Sequence, residues 1–210
     1  AGFAVAMNGE WVETTPLARA EWLKFSALFL GRGEEAERIF SAIEAEYTPL
    51  VQTAARASER PLVFSGSEFQ GTWYVPGGQS FFAQFINDAA ARYVWADDAS
   101  TGSSAIDFEA VLARAGDAQY WFLHDGDHAD LGELTAADGR YALLKAVNSG
   151  RVYCNDAQVA SDGRNPYYEA SIMAPQEVLA DLIHILHPEL LPDHRLIWYR
   201  RLPPGAAGRG

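Results

Sequence analysis

The sequence predicts an α/β fold in which a parallel sheet carries helices on both faces and a long helix precedes it. Short strand-like runs at 61–65 (PLVFS), 93–96 (YVWA), 120–123 (YWFL) and 151–155 (RVYCN) alternate with helical segments. Such alternation implies parallel strands joined by helical crossovers. Each helix is expected to return to the next strand through one to three residues, whereas the strand-to-helix loops at 66–79 and 156–174 are long. Residues 34–58 set Ala36, Ile39, Phe40, Ile43, Tyr47, Leu50, Val51 and Ala54 at helical spacing, the pattern of a long amphipathic helix.

Taken in order, residues 3–7 (FAVAM) read as a short strand closed by the Asn8-Gly9 turn, with no hairpin partner nearby. Pro16 suits the first turn of a helix running through Trp22 and Phe25 to about Leu30, where Gly31 and Gly33 stop it. Pro49 is expected to kink or split the following helix. Within the sheet region, helices are expected at 80–91, 107–116, 128–147 with a break near Gly139, and 175–187 between Pro175 and Pro188. These elements divide the chain into an orphan strand and exit (1–15), a helical linker (16–59), a Rossmann-like α/β lobe (60–202) and a tail, PPGAAGRG (203–210), expected to be disordered.

Composition narrows the function. With 210 residues and 49% hydrophobic content the chain can bury a substantial core. Sixteen basic against 28 acidic side chains leave a net charge of −12, which repels nucleic acid and anionic lipid. Cys154 is the single cysteine, so neither an internal disulfide nor a zinc cluster can form, and it reads as a small buried strand residue. No run approaches the length of apolar sequence that a membrane-spanning helix needs. The chain opens on Ala1 without an initiator Met or signal peptide, which reads as a processed or excised start.

Ligands bind at the carboxyl ends of strands in open parallel sheets, so the long loops there are the candidate site. Loop 66–79 carries Trp73 and Tyr74 between glycines, suited to stacking on a flat apolar ligand; the competing reading is that Trp73 caps the core. Gly77-Gly78 before a helix could cradle phosphate, but neither GxxxxGK[ST] nor GxGxxG is present, and no cofactor is expected. Trp95 lies on the second strand and is followed by Asp97, Asp98, Ser103 and Ser104, of which Ser104 could instead cap the next helix. Loop 156–174 brings Tyr167, Tyr168 and Glu169, one of whose rings should pack inward. The sharpest alternative is His124-Asp125-Gly126-Asp127-His128, which could bind a divalent metal for a chelatase or hydrolase. It lacks a known ligand spacing, so it is expected to hold no tightly bound metal. His184 and His187 read as packing or surface residues, and no compact catalytic motif such as GxSxG appears, so the chain reads as a binding protein rather than an enzyme.

The stretches GEWVETTPLARAEWLKF (9–25), TWYVPGGQSFFAQFINDAAARYVWADD (72–98), IDFEAVLARAGDAQYWF (106–122) and NPYYEASIMAPQEVLADLIHILHPELLPDHRLIWYRRL (165–202) resemble the class III substrate-binding proteins of ABC importers. That family takes up cobalamin, haem and iron chelates. The resemblance implies two α/β lobes joined by a long helix, of which this chain would supply the last strand of the N-terminal lobe, the inter-lobe helix and the C-terminal lobe. It further implies Trp73, Tyr74, Trp95, Tyr168 and Glu169 on the cleft side, an ABC permease as partner, and a lipid-anchored place in the periplasm or cell envelope; the loop reading adds Ser103 as a hydroxyl partner at the same edge. Anionic tricatecholates would want several Arg or Lys, yet loops 66–79 and 97–106 have none and 156–174 has only Arg164. The expected ligand is therefore a metal complex with little negative charge, a corrinoid ahead of an iron chelate.

Overall fold

The computed structural model describes residues 5–124 and 128–205. Its helices are α1 (Pro16–Leu28), α2 (Gly33–Ala54), α3 (Phe81–Asp88), α4 (Phe108–Ala115), α5 (Leu131–Ala137), α6 (Lys145–Asn148), α7 (Tyr167–Ala170) and α8 (Pro175–Leu186). Its strands are β1 (Leu62–Ser65), β2 (Ser67–Phe69), β3 (Thr72–Pro76), β4 (Arg92–Tyr93), β5 (Ser103–Ile106), β6 (Tyr120–Leu123), β7 (Val152–Cys154) and β8 (Arg200–Arg201).

Pro16 occupies the first turn of α1 as expected, and the Thr15 hydroxyl caps it, accepting the Ala18 N–H at 3.2 Å. Gly31, at φ +65°, turns the chain into α2. Contrary to expectation, Pro49 does not split α2, which runs 22 residues. The ring lies on the exposed side, so it removes one N–H from the ladder without meeting packed neighbours. The apolar face of α2 packs against α1 and α8. The Tyr47 hydroxyl donates to Asp88 at 2.7 Å, tying α2 to α3.

Strands β4, β1, β6 and β7 pair parallel in that spatial order, with β8 antiparallel on the far edge. The chain moves outward from β1 to β4 and then crosses back to β6, so the strand order reverses between β1 and β6. With right-handed crossovers, that reversal sends α3 to one face and α4 and α6 to the other. The predicted strand at 93–96 is shorter and earlier, because the backbone turns after Tyr93. The predicted helix at 128–147 is three pieces, α5, a 3₁₀ stretch at Gly139–Leu143 and α6. No strand forms at 5–7, and residues 3 and 4 of that predicted strand lie outside the described residues. Of the tail, Pro203 accepts the Leu131 N–H at 2.9 Å, so the chain remains docked on α5 beyond β8.

The largest departure is that loops 66–79 and 97–106 contain a second sheet, β2-β3-β5, paired antiparallel throughout. Gly71 at φ +84° and Gln70 at φ +52° close the β2–β3 turn. Along β3 the side chains alternate, Trp73 and Val75 inward and Tyr74 outward. Trp73 joins an aromatic core with Trp121, Phe108 and Tyr141, ring centroids 5.5–5.9 Å apart. Cys154 is buried in β7 as expected.

The carboxylate of Asp181 on α8, fully buried, fixes the final segment. It accepts the N–H groups of Ile197 at 3.0 Å, Trp198 at 2.7 Å and Tyr199 at 3.0 Å, and His194 Nε2 at 2.6 Å. Four donors converging on one carboxylate offset the cost of taking its charge out of water.

Candidate functional site

The switch point between β1 and β6 holds a cleft. At its floor His124, directly after β6, places Nε2 2.6 Å from the hydroxyl of Ser65, the last residue of β1. Ser65 donates its own proton to Phe122 O at 2.7 Å, so Nε2 of His124 carries the hydrogen toward Ser65. The imidazole packs edge-on to Phe82, 5.4 Å between ring centroids. These contacts hold the ring at the crevice where doubly wound sheets bind ligands.

Around this floor lies a cavity of about 420 Å³, walled by Trp11, Phe81, Phe82, Ser103, Tyr168 and Ile172. Four separate segments therefore meet there: the 3₁₀ turn at Glu10–Val12, the start of α3, the end of the 97–103 loop, and α7 with its continuation. Ser80 caps α3, accepting the Ala83 N–H at 3.2 Å and donating to Gly77 O at 2.7 Å, which orients Phe81 and Phe82. Arg19 of α1 also reaches the cavity, its guanidinium 4.3 Å from the Phe81 ring centre and bonded to Glu10 at 2.8 and 3.0 Å. That cation lies outside the loops and was invisible to a charge count over them; Glu10 offsets its charge.

Tyr168 stands 46% exposed on α7, edge-to-face with Tyr167 and within 3.4 Å of the Asn155 amide nitrogen. Tyr167 is the inward ring of the pair, its hydroxyl 2.8 Å from that of Tyr199. Burial holds the Tyr167 and Tyr199 hydroxyls well above the usual tyrosine range, so both remain protonated and can share this bond. The 97–104 loop is organised by Asp98, which accepts the Ser100 N–H at 2.9 Å and the Ser100 and Ser104 hydroxyls at 2.9 and 3.0 Å. The Ser100 backbone N–H, then its hydroxyl, lower the Asp98 carboxyl below its ordinary value. Ser104 therefore serves this loop, and Asp107 caps α4, accepting the Ala110 N–H at 2.7 Å.

The six residues singled out from sequence separate into three groups. Ser103 and Tyr168 line the cleft. Tyr74 and Glu169 are exposed and are not among its walls. Trp73 and Trp95 belong to the core, at 2% and 4% exposure, so neither presents a ring face at the surface. The reason is β-strand alternation at Trp73, and for Trp95 its packing on Phe64 and Tyr93 under the Arg114 guanidinium. Gly77 and Gly78 are packing positions as well: a Cβ on either would collide with Ser100 or with the carbonyls of Trp95 and Asp98. Of the 124–128 loop, Asp125 and Asp127 lie outside the described residues; among the described residues no group of three or more His, Cys, Asp or Glu is placed to hold a metal. Sequence reasoning missed Trp11, Phe81 and His124 as cleft residues. The signals were there, an aromatic beside Gly9 and rings at a helix start, but nothing local said that these segments converge.

Among the described residues no helix is long and apolar enough to cross a membrane. An uncharacterized lipoprotein of Methanocaldococcus jannaschii is 30% identical over 191 residues, covering 90% of this chain and 43% of that protein. The chain spans about half the length of the curated relatives it matches. Among solved structures, a periplasmic haem-binding protein from Pseudomonas aeruginosa superposes with a TM-score of 0.61 at 20% identity, over 83% of this chain and 62% of the other. A protein of an ABC-type Fe3+-hydroxamate transport system from Saccharomonospora viridis gives 0.62 at 16% identity, over 85% and 56%. Both likenesses speak for the fold. The family model for periplasmic binding proteins matches residues 8–159, and with the parallel sheet, its switch-point cleft and the solved neighbours agreeing, the chain belongs to the periplasmic binding protein family, in its class III branch.

Proposed function

We propose that this chain is the C-terminal lobe, with its linking helices, of a substrate-binding protein that captures a flat metal complex and delivers it to an ABC permease at the cell envelope. The observation that carries the reading is the cleft itself: a switch-point cavity with rings on several sides (Trp11, Phe81, Tyr168), hydroxyls at Ser103 and Tyr168, and one guanidinium already neutralised by Glu10. Ring walls suit the face of a macrocycle, and sparse hydroxyls suit its polar edge. The neutral charge balance favours a corrinoid or a weakly charged iron complex over a tricatecholate. The haem and hydroxamate proteins of the same fold support this ligand class, as the lipoprotein relative supports an envelope location with a lipid anchor.

The cleft would be completed by a second lobe, so this chain alone should bind weakly. If a two-lobed form reaches nanomolar affinity, about −12 kcal/mol, half of that leaves a dissociation constant in the tens of micromolar. Cyanocobalamin, haemin and an iron(III) hydroxamate titrated by calorimetry test the reading. Saturable binding of at least one is expected, weakened about 5- to 150-fold by Tyr168→Ala if that ring anchors the ligand, equivalent to about 1–3 kcal/mol. Binding that is unaffected by both Tyr168→Ala and Phe81→Ala, or absent for all three ligands, would overturn it.

A further inference from the structure

A second cavity, of about 540 Å³, opens between the β2–β3 hairpin, the start of α4 and the stretch from α5 to Tyr141. It lies beside α4, whereas the cleft lies beside α3, and among the described residues the two share only His124. Four rings form its inner wall: Trp73 and Trp121, 2% and 0% exposed, with Phe108 and Tyr141. Neighbouring rings in this group have centroids 5.5–5.9 Å apart. The two indoles differ in one respect. Trp121 donates its N–H to Gly66 O at 3.0 Å, but the Trp73 N–H, also shielded from water, has no acceptor among the described residues. A buried donor without a partner is rare and costly, so an acceptor brought in by a bound molecule would be favoured there.

The charge around the rings chooses the occupant. Glu68, Asp107, Glu109 and Asp138 line the cavity against one guanidinium, that of Arg140. Arg140 pairs with Asp138 at 2.7 Å and reaches Glu109 at 3.5 Å. The hydrogen bonds that Glu68 and Asp107 accept come from backbone N–H groups, of Gly71 and Ala110, and leave their charge in place. Burial, then the charges of Asp138 and Glu68, push the Tyr141 hydroxyl up to about 12, so the negative field reaches the inner wall. Among the described residues no group of three or more His, Cys, Asp or Glu is placed to hold a metal, so these carboxylates suit a diffuse charge rather than a metal ion. The cavity already holds one such charge by the same means: the Arg140 guanidinium stands 4.5 Å from the Phe108 ring centre while bonded to a carboxylate. We propose that this cavity is a second binding site, for a small organic cation that carries an acceptor oxygen. The cation rests on the ring faces among the carboxylates, and the oxygen takes the Trp73 N–H.

Calorimetric titration of the 210-residue chain at constant ionic strength tests the site with three probes: choline, tetramethylammonium and 3,3-dimethyl-1-butanol. Choline supplies both cation and oxygen, tetramethylammonium only the cation, and the alcohol has the shape of choline without its charge. Saturable choline binding is expected with a dissociation constant of about 1 mM or below, and the alcohol should bind at least about tenfold more weakly. Tetramethylammonium should bind about threefold more weakly than choline, and Trp73→Phe, which keeps a ring but removes the N–H, should abolish that preference. Glu68→Gln, at an exposed position where the amide oxygen can still accept the Gly71 N–H, should weaken choline about threefold. Glu46→Gln, an exposed acid on α2, should leave choline binding unchanged. Three results would overturn the proposal: no saturation by about 20 mM choline, the alcohol binding as tightly as choline, or the choline preference surviving Trp73→Phe. Equal weakening by Glu46→Gln and Glu68→Gln would show general attraction of a cation to an acidic chain and overturn it as well.

Discussion

Replacing Asp181 by Asn isolates the electrostatic anchor that holds the final segment against α8. The carboxylate accepts three consecutive backbone N–H groups, from Ile197, Trp198 and Tyr199, and His194 Nε2, all at 2.6–3.0 Å. Asparagine keeps one acceptor oxygen and turns an amide –NH2 toward donors, so about two of these bonds are lost and one contact becomes repulsive. Hydrogen bonds to a charged group contribute about 1.5–3 kcal/mol each, and neighbouring losses do not add fully, so the expected cost is about 3–5 kcal/mol. In a chain of this size 1 kcal/mol moves the melting temperature by about 2–4 °C, which puts the fall at roughly 6–20 °C. The loss should also reach the cleft, because Tyr199 holds the Tyr167 hydroxyl and Tyr167 backs Tyr168. Calorimetric melts of the wild type and Asp181→Asn, with circular dichroism to verify the native fold at 20 °C, make the measurement. A shift below about 2 °C would show that water or rearranged donors replace the carboxylate, and the anchor reasoning would be wrong.

Two further outcomes follow from other groups of the packed lobe. Trp73→Ala should cost about 3–5 kcal/mol of stability in urea melts, as expected for a large ring removed from a packed core; unchanged stability with a selective loss of ligand affinity would return Trp73 to the cleft. Burial raises the Asp88 carboxyl above its ordinary value, against the smaller opposing pull of hydrogen bonds from Tyr47 and Gln84. Between the unfolded value, about 4, and the raised folded one, the folded state binds more protons, so this group's contribution to stability falls as pH rises through that window. Asp88→Asn should remove that component from urea midpoints measured between pH 4 and 7, and an unaltered slope would contradict the assignment.

The parallel strands, the capped start of α1 and the final helix were legible because each is a local pattern: strand runs bounded by turns, Pro at a first helical position, apolar residues at helical spacing. Loop 66–79 misled because its β-character is half hidden. Alternation from Thr72 to Pro76 is short, and its partner β5 lies 27 residues beyond β3 in sequence, so nothing local announced a second sheet. For the same reason Trp73 could be read either as a ligand wall or as core, and only the β2-β3-β5 register turned it inward.

By itself the sequence determined the fold class, since composition, periodicity and loop length are properties of the chain, and it pointed to the carboxyl edge of the sheet as the candidate site, where Ser103 and Tyr168 line the cavity. Which rings line the candidate cleft was decided only by tertiary structure. Trp11, Arg19, Phe81, His124 and Tyr168 come from five segments far apart in the chain, and the strand reversal between β1 and β6 together with the docking of α1 on the lobe brings them to one cavity. Spacing along a chain carries no such information, because the contacts that assemble a cleft are long-range and their geometry is set by how the layers pack.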